Sequence, residues 1–198
     1  GPWPPARRVL ANALDNDGHI DAVLIGGKQA LVLFGQRAAR QQFDLSAVPE
    51  AAATLFDFDN DGWLDFCAAG TSGSSPQQGA VQLWRNAGGG NWTDATAATG
   101  LAATPLLPVR VVIAADLDRD GDTDLLLLTG AGQMHFLRND GAAGFTDDEK
   151  ELYALIRTRT LASQMADAEI LRTKIIANTT DRALPNCTVS GSHLLSAG

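Results

Sequence analysis

The sequence predicts a mainly β fold, with three four-stranded antiparallel sheets followed by a C-terminal helical segment. Three observations support this prediction. A nine-residue acidic loop occurs three times, short apolar runs lie on both sides of each loop, and the apolar spacing after residue 148 changes to that of a helix. We place the sheets within residues 1–148, at about 7–48, 50–100 and 109–148, and a helical segment with an irregular tail at 149–198.

Each repeat is predicted to contain four short strands. The first two flank the acidic loop, at 9–11 and 22–26, 53–56 and 66–70, and 111–114 and 125–130. The third and fourth follow at 33–34 and 43–44, 83–86 and 92–94, and 136–139 and 145–147. A polar insertion at 71–78 lengthens the middle repeat. The loop glycines Gly18, Gly62 and Gly121 are 44 and 59 residues apart, and four strands in a repeat of this length are typical of propeller blades.

The acidic residues are concentrated in three loops, at 13–21 (loop 1), 57–65 (loop 2) and 116–124 (loop 3), which hold 12 of the 23 acids. Carboxylates this close repel one another unless a cation neutralises them. Alternate carboxylates around a glycine suit a hard, oxygen-loving cation, and calcium is less demanding in geometry than magnesium. The loops are not EF-hands, because Leu24, Ala68 and Leu127 stand where that motif needs glutamate.

Loop 1 departs from the pattern. Ala13 stands at its first position, where loops 2 and 3 have aspartate, so Asp15, Asp17 and Asp21 remain. We expect two good calcium sites and one weaker site. The competing interpretation is three solvated turns, since Asp and Gly are common in loops. The repetition of the pattern in similar surroundings favours the metal.

Stretches such as LWRNAGGGNWTDATAATGLA and FLRNDGAAGFTD, together with the repeated acidic loops, resemble the FG-GAP/VCBS repeat family over residues 7–148. This family includes the calcium-loop blades of integrin α-subunit propellers, and the likeness is to its bacterial secreted branch. The resemblance implies a secreted, periplasmic or cell-surface protein. It implies side-chain ligands at Asp57, Asp59, Asp61, Asp65, Asp116, Asp118, Asp120 and Asp124. At position seven it implies main-chain carbonyl ligands, from His19, Trp63 and Asp122.

Three blades are fewer than a closed propeller needs. The open stack could belong to a larger propeller, could be completed by other copies, or could be covered by the C-terminal residues. Thr146–Glu149 has the pattern of a capping box, and apolar residues from Leu152 to Ile175 recur at mostly helical intervals. We therefore predict one long or two short helices ending near Asn178, packed on the domain's own edge or pairing with another chain, and nothing regular after Leu184.

The net charge of −8 argues against a nucleic-acid partner, and no apolar run approaches the roughly 18 residues of a membrane span. No nucleophile elbow, phosphate loop or zinc-protease motif is present, and His135 and His193 show no evident partner for acid–base work. We predict a non-catalytic binding, adhesion or scaffold module with a protein or carbohydrate ligand, and the 71–78 insertion is the first candidate contact. The alternatives are part of a propeller hydrolase or polysaccharide lyase, or a self-assembling unit that associates through open blade edges or the C-terminal helix.

Overall fold

The computed structural model describes residues 6–38, 40–141, 144–148, 154, 156–157, 169–177 and 187–196. The chain divides into two compact units, Gly1–Leu152 and Tyr153–Gly198. The first unit holds three four-stranded antiparallel sheets, each with its strands in sequence order. This architecture confirms the mainly β part of the prediction. Within the described residues, no helix is long and apolar enough to cross a bilayer.

The sheets, here called blades 1 to 3, each have one acidic loop between their first two strands. Blade 1 contains β1 (Arg8–Asn12), β2 (Asp21–Gly26), β3 (Gln29–Leu33) and β4 (Arg40–Asp44). Blade 2 contains β5 (Ala52–Phe56), β6 (Asp65–Thr71), β7 (Gly79–Asn86) and β8 (Trp92–Asp94). A short 3₁₀ turn, Leu101–Ala103, precedes blade 3, which contains β9 (Val109–Ala115), β10 (Asp124–Thr129), β11 (Met134–Asn139) and β12 (Phe145–Asp147).

Blade 2 is packed on both faces, and its second strand shows why the sequence there is apolar without alternation. Phe66 and Ala68 of β6 join the core shared with blade 1, whereas Cys67 and Ala69 join the core shared with blade 3. Successive side chains of a strand point to opposite faces, so a strand between two neighbours is apolar at every position. Full burial of a side chain as large as Phe66 contributes about 1.5–3 kcal/mol.

An aromatic cluster stabilises the contact between blades 1 and 2. Phe43 of β4 stacks on Trp84 and Phe66 of blade 2, with ring centroids 4.8 and 5.4 Å apart, and Trp92 meets it edge-on at 5.2 Å. Such aromatic pairs contribute about 0.5–1.5 kcal/mol beyond their buried area.

The prediction of a C-terminal helical segment is wrong. The second unit contains an antiparallel hairpin of β13 (Glu169–Ala177) and β14 (Cys187–Ser196), paired from Glu169 with Ser196 to Ala177 with Cys187. The expected helix end near Asn178 and the expected irregular tail after Leu184 are replaced by these strands. Most of 149–168, including Leu152, Leu161 and Met165, lies outside the described residues.

The capping-box interpretation fails for a local reason. Thr146 and Asp147 belong to β12, so Thr146 is extended and pairs with Arg138. Its hydroxyl donates a hydrogen bond to Asp140 Oδ2 at 2.9 Å and does not cap a helix. The repeat pattern also predicts residues 145–147 as the fourth strand of the third repeat, and that prediction is confirmed.

Candidate functional site

The three acidic loops have positive φ at the same two positions, which explains the glycine at position six of each loop and the asparagine at position four of loops 1 and 2. Positions four and six of every loop have positive φ, between 53° and 99°. These residues are Asn16, Asn60, Arg119, Gly18, Gly62 and Gly121. Glycine adopts this region freely, and asparagine more readily than other side chains. The chain can therefore turn sharply inside each loop.

In loops 2 and 3 the carboxylates at positions one, three and five converge. Each contributes one oxygen to a group whose members lie within 4.8 Å of one another. The two groups are Asp57, Asp59 and Asp61, and Asp116, Asp118 and Asp120. Three carboxylate oxygens at this spacing are a donor set that suits a hard divalent cation.

The aspartate at position nine closes each loop against its sheet. Asp21, Asp65 and Asp124 are at most 1% exposed, and both oxygens of each accept a backbone N–H at 2.7–2.9 Å. One donor is position two of the loop, and the other lies at or just after the end of the third strand. The donors are Leu14 and Gly35, Phe58 and Asn86, and Leu117 and Asn139. Position nine thus holds the loop in shape through hydrogen bonds of its own.

The buried aspartates of loops 2 and 3 have raised pKa values despite the hydrogen bonds that they accept. Burial raises the pKa of Asp65 to about 7 against the lowering effect of two backbone N–H groups, and the charges of Asp59 and Asp61 add to the rise. Burial likewise raises the pKa of Asp124, with a contribution from the charge of Asp120. A cation among these groups would offset the repulsion that adds to the effect of burial on these pKa values.

An arginine forms ion pairs with two carboxylates of loop 2. The Nε of Arg85, on β7, donates to Asp59 Oδ2 at 2.5 Å, and its Nη2 donates to Asp61 Oδ2 at 2.7 Å. Arg138, the equivalent residue of blade 3, instead bonds Asp140 Oδ1 at 2.8 Å. Loop 2 therefore has an internal counter-charge on two of its three converging carboxylates.

Loop 1 does not contain the cluster of three converging carboxylates that is found in loops 2 and 3. Asp15 is buried and forms an ion pair with Arg37 at 2.9 Å, while Asp17 accepts the backbone N–H of His19 at 2.8 Å. Among the described residues, no three carboxylates of this loop converge. Arg37 thus supplies a positive charge to a loop that has Ala13 at its first position.

Position seven has the same main-chain role in every loop. The N–H groups of His19, Trp63 and Asp122 donate to the carboxylate at position five, at 2.8–2.9 Å. The indole of Trp63 lies against Gly88, where an added Cβ would come within 2.7 Å of the ring. Trp63 therefore packs on the turn that follows β7 in its own blade.

Adjacent blades are tied together at their loops by a repeated asparagine. Asn86, at the end of β7, donates through Nδ2 to the carbonyl of Leu14 in loop 1 at 2.8 Å. Asn139 donates in the same way to Phe58 in loop 2 at 2.7 Å. Both asparagines are buried and also accept the N–H two residues later. We call this contact the inter-blade staple.

The family model of the FG-GAP-like repeat matches residues 57–127, which contain both converging carboxylate groups. This segment is similar to an FG-GAP-like repeat. The predicted family resemblance is thereby confirmed over these residues.

No curated protein matches the chain. A solved structure of an Agrocybe aegerita lectin, described for its specific recognition of non-reducing terminal N-acetylglucosamine, is similar with a TM-score of 0.43 and 16% identity. The similarity covers 83% of this chain and 42% of the lectin chain, so this chain spans less than half of the lectin's length.

The polar insertion of the FG-GAP-like segment borders a groove of about 570 Å³. Its polar walls include Ser72, Ser74 and Gln78 from the insertion, and Gln133 and His135 from blade 3. The insertion is held by internal bonds, with Ser72 Oγ and Ser74 Oγ 2.8 Å apart. At its end, Gly79 donates its N–H to Leu106 O at 2.7 Å, where a larger residue would clash with Leu107 O.

His135 has an acidic neighbour that the sequence did not reveal. Its Nδ1 lies 3.3 Å from Asp147 Oδ2, so the expectation that His135 lacks a partner is wrong. The two residues are 12 apart in sequence and meet because β11 pairs with β12. The side chain of His193, in β14, is outside the part of the chain whose side chains are described.

Proposed function

We propose that this chain is a calcium-binding, propeller-type repeat module that acts by binding and has no catalytic role of its own. The observation that carries the proposal is the convergence of three carboxylate oxygens in loop 2 and again in loop 3, within 4.8 Å. A divalent cation relieves the repulsion in both groups, and oxygen-only donors favour calcium over the transition metals.

The proposed side-chain ligands are the converging acids of each loop. They are Asp57, Asp59 and Asp61 in loop 2, and Asp116, Asp118 and Asp120 in loop 3. The main-chain carbonyls of Trp63 and Asp122 would supply further oxygen ligands. Asp65 and Asp124 lie next to these groups, but both of their oxygens already accept backbone N–H groups, so we assign them mainly to holding the loops closed.

Loop 1 is proposed as the weakest of the three sites. Its remaining acids are Asp15, Asp17 and Asp21, with the His19 carbonyl, and its first position is Ala13. Asp15 is paired with Arg37, and both oxygens of Asp21 already accept a backbone N–H. Any ion here would depend on water for most of its ligands.

The proposed role of the metal is structural. An ion in each loop would join the first two strands of a blade. An ion that binds the folded state and not the unfolded state raises stability by mass action. Dissociation constants on the order of 10⁻⁴–10⁻³ M suit extracellular calcium. A secreted, periplasmic or surface location follows as part of the proposal.

The groove beside the insertion is the proposed ligand face. Its serine, glutamine and histidine side chains offer hydrogen bonds to hydroxyl or amide groups, so a carbohydrate or an extended peptide is the class of ligand it suits. The ligand-binding role and the metal role are separable, because the groove residues are not loop residues.

The experiment that tests the metal proposal is titration of the full chain with calcium by calorimetry, together with thermal unfolding in calcium, in magnesium and in chelator. We expect heat of binding and a higher Tm in calcium than in magnesium. Asp118→Asn should remove one binding event, whereas Asp94→Asn, an exposed aspartate outside the loops, should leave the titration unchanged. No heat and no change of Tm at millimolar calcium would overturn the proposal.

A further inference from the structure

The face that blade 2 turns toward blade 3 is apolar and closely packed. It is formed by residues that are at most 5% exposed in the shared core: Ala52, Cys67, Ala69, Val81 and Leu83. Blades 2 and 3 can be aligned by their position-nine aspartates, Asp65 and Asp124, and by their staple asparagines, Asn86 and Asn139. This alignment identifies the residues of blade 3 that occupy the same places on its far face.

Blade 3 repeats the apolar character of that face. The equivalent residues are Val111, Leu126, Leu128, Met134 and Phe136. The strand register places Leu128 between Val111 and Met134, and Leu126 between Ile113 and Phe136, so two apolar rows cross β9, β10 and β11 side by side. The far face of blade 3 thus has the composition of an inter-blade interface.

Most of this face is exposed, in contrast to its counterpart in blade 2. Val111 is 40% exposed, Leu128 37%, Met134 46% and Ile113 49%, while Phe136 is buried. Contiguous exposed apolar side chains on a soluble domain mark an interaction surface, because single exposed residues are common but clustered ones are not. We call these residues the blade 3 end face.

Blade 1 presents the complementary half of the same interface at the other end of the stack. The residues that blade 2 turns toward blade 1 include Ala53, Leu55, Ala68 and Trp84. Their equivalents in blade 1 are Val9, Ala11, Leu24 and Leu33. Val9 pairs with Leu24, and Leu24 with Leu31, which makes an apolar row across β1, β2 and β3 whose exposure falls from 60% at Val9 to 9% at Leu31. We call this surface the blade 1 end face.

We infer that the blade 3 end face docks on the blade 1 end face of a second copy of this chain. The contact would continue the packing that already joins blade 1 to blade 2 and blade 2 to blade 3, with equivalent positions meeting in the same order. It is heterologous, since two different surfaces meet, and such contacts close into rings when the rotation permits. A second copy would add its blades to the same stack, toward the about four to eight blades found in closed propellers.

One feature sets the expected strength of this contact. Gly35 in blade 1 stands where blades 2 and 3 have Asn86 and Asn139. The copy-to-copy contact therefore lacks the inter-blade staple, a buried hydrogen bond that each internal contact possesses. We expect association that is reversible on dilution. The proposed association does not require bound calcium, so the mass in solution is measured both in calcium and in chelator.

The test is the mass of the full chain in solution, by sedimentation and light scattering over a dilution series. The expected result is a species of twice the 20.8 kDa chain mass that dissociates on dilution. Two blocked variants identify the surfaces. Leu128→Asp with Met134→Asp blocks the blade 3 end face, and Val9→Asp with Leu24→Asp blocks the blade 1 end face. Leu107→Asp, another exposed apolar position but in the loop before β9, is the control.

Mixing the variants distinguishes the proposed geometry from its alternatives. Each blocked variant alone should be monomeric, their mixture should form a dimer through the one intact pair of faces, and the control should behave as the wild type. A wild-type monomer at every concentration overturns the inference. So does a blade 1 variant that still dimerises alone, because the blade 3 end face would then pair with itself. If a double variant fails to fold by circular dichroism, the single change Val111→Lys replaces it at the blade 3 end face.

Discussion

The side-chain amide of Asn86 in blade 2 donates a hydrogen bond to the backbone carbonyl of Leu14 in blade 1, 72 residues earlier in the chain. The same amide reaches Leu64 O at 3.2 Å, and its oxygen accepts the Gly88 N–H. One buried side chain thus satisfies backbone groups of two blades and of the turn that follows its own strand. A buried backbone group without a hydrogen-bond partner lowers the free energy of unfolding. Asn86 therefore stabilises the fold through several backbone groups at once.

Replacing Asn86 with alanine should lower the free energy of unfolding by about 1–3 kcal/mol, the range for a lost buried hydrogen bond that leaves its partners unsatisfied. Urea unfolding followed by circular dichroism measures the change. Asn91→Ala, at an exposed asparagine in the next turn, is the control and should shift the midpoint little. Equal effects at the two positions would show that the staple contributes nothing of its own.

Replacing Arg85 with alanine should strengthen calcium binding at loop 2. Arg85 must leave Asp59 and Asp61 before an ion can use those oxygens, and partly exposed ion pairs of this kind contribute about 0–1 kcal/mol, or up to about fivefold in affinity. Calorimetry on the variant and the wild type measures the difference. Arg110→Ala, an exposed arginine of β9, should leave the affinity unchanged. Weaker binding in Arg85→Ala would mean that Arg85 supports the site instead of competing for it.

The raised pKa of Asp65 predicts the pH dependence of stability in chelator. The ordinary value of 3.8 applies to the unfolded chain and about 7 to the folded one, so the folded state binds the proton more tightly. Ionisation of Asp65 therefore opposes folding, and its contribution to stability falls as the pH rises from about 4 to about 7. Asp65→Asn should flatten this part of the curve, relative to the wild type and to Asp94→Asn. Parallel curves for wild type and Asp65→Asn between pH 5 and pH 7 would contradict the assignment.

Cys67 should be unreactive in the folded protein. It is fully buried in β6, and burial raises the pKa of its thiol to about 12, so almost no thiolate is present at neutral pH. Alkylation followed by mass spectrometry of the peptide containing Cys67 measures this. Modification should be complete in denaturant and negligible without it. Rapid labelling of the native protein would show that blade 2 opens locally.

The strands around the loops could be predicted because the signals there are local. Glycine at position six, acids at alternate positions and apolar runs on both sides limit the chain to a hairpin, as for β5 and β6 around loop 2. The C-terminal helix was wrong because apolar spacing alone does not distinguish a helix from a strand in a short segment. Ile170, Ile175 and Ile176 are β-branched, and that composition favours the strand β13 that is present.

The contacts within the site were harder to predict because they join residues distant in sequence. Arg85 lies 24 and 26 residues from the aspartates it binds, and the Arg37–Asp15 pair likewise spans blade 1. The staple had an available signal, since the Arg-Asn pair ends the third strand in both blade 2 and blade 3. Its partner, a backbone carbonyl in the preceding blade, has no signature in the sequence.

The closure of each loop by its position-nine aspartate bears on how fast the chain could respond to calcium. Asp65 and Asp124 hold loops 2 and 3 in shape with the converging oxygens already side by side, so an arriving ion has little backbone to order. Its entry and exit would then be governed by loss of hydration water and, in loop 2, by the rotation of one arginine side chain. Calcium would accordingly change the lifetime of the folded state far more than its dimensions.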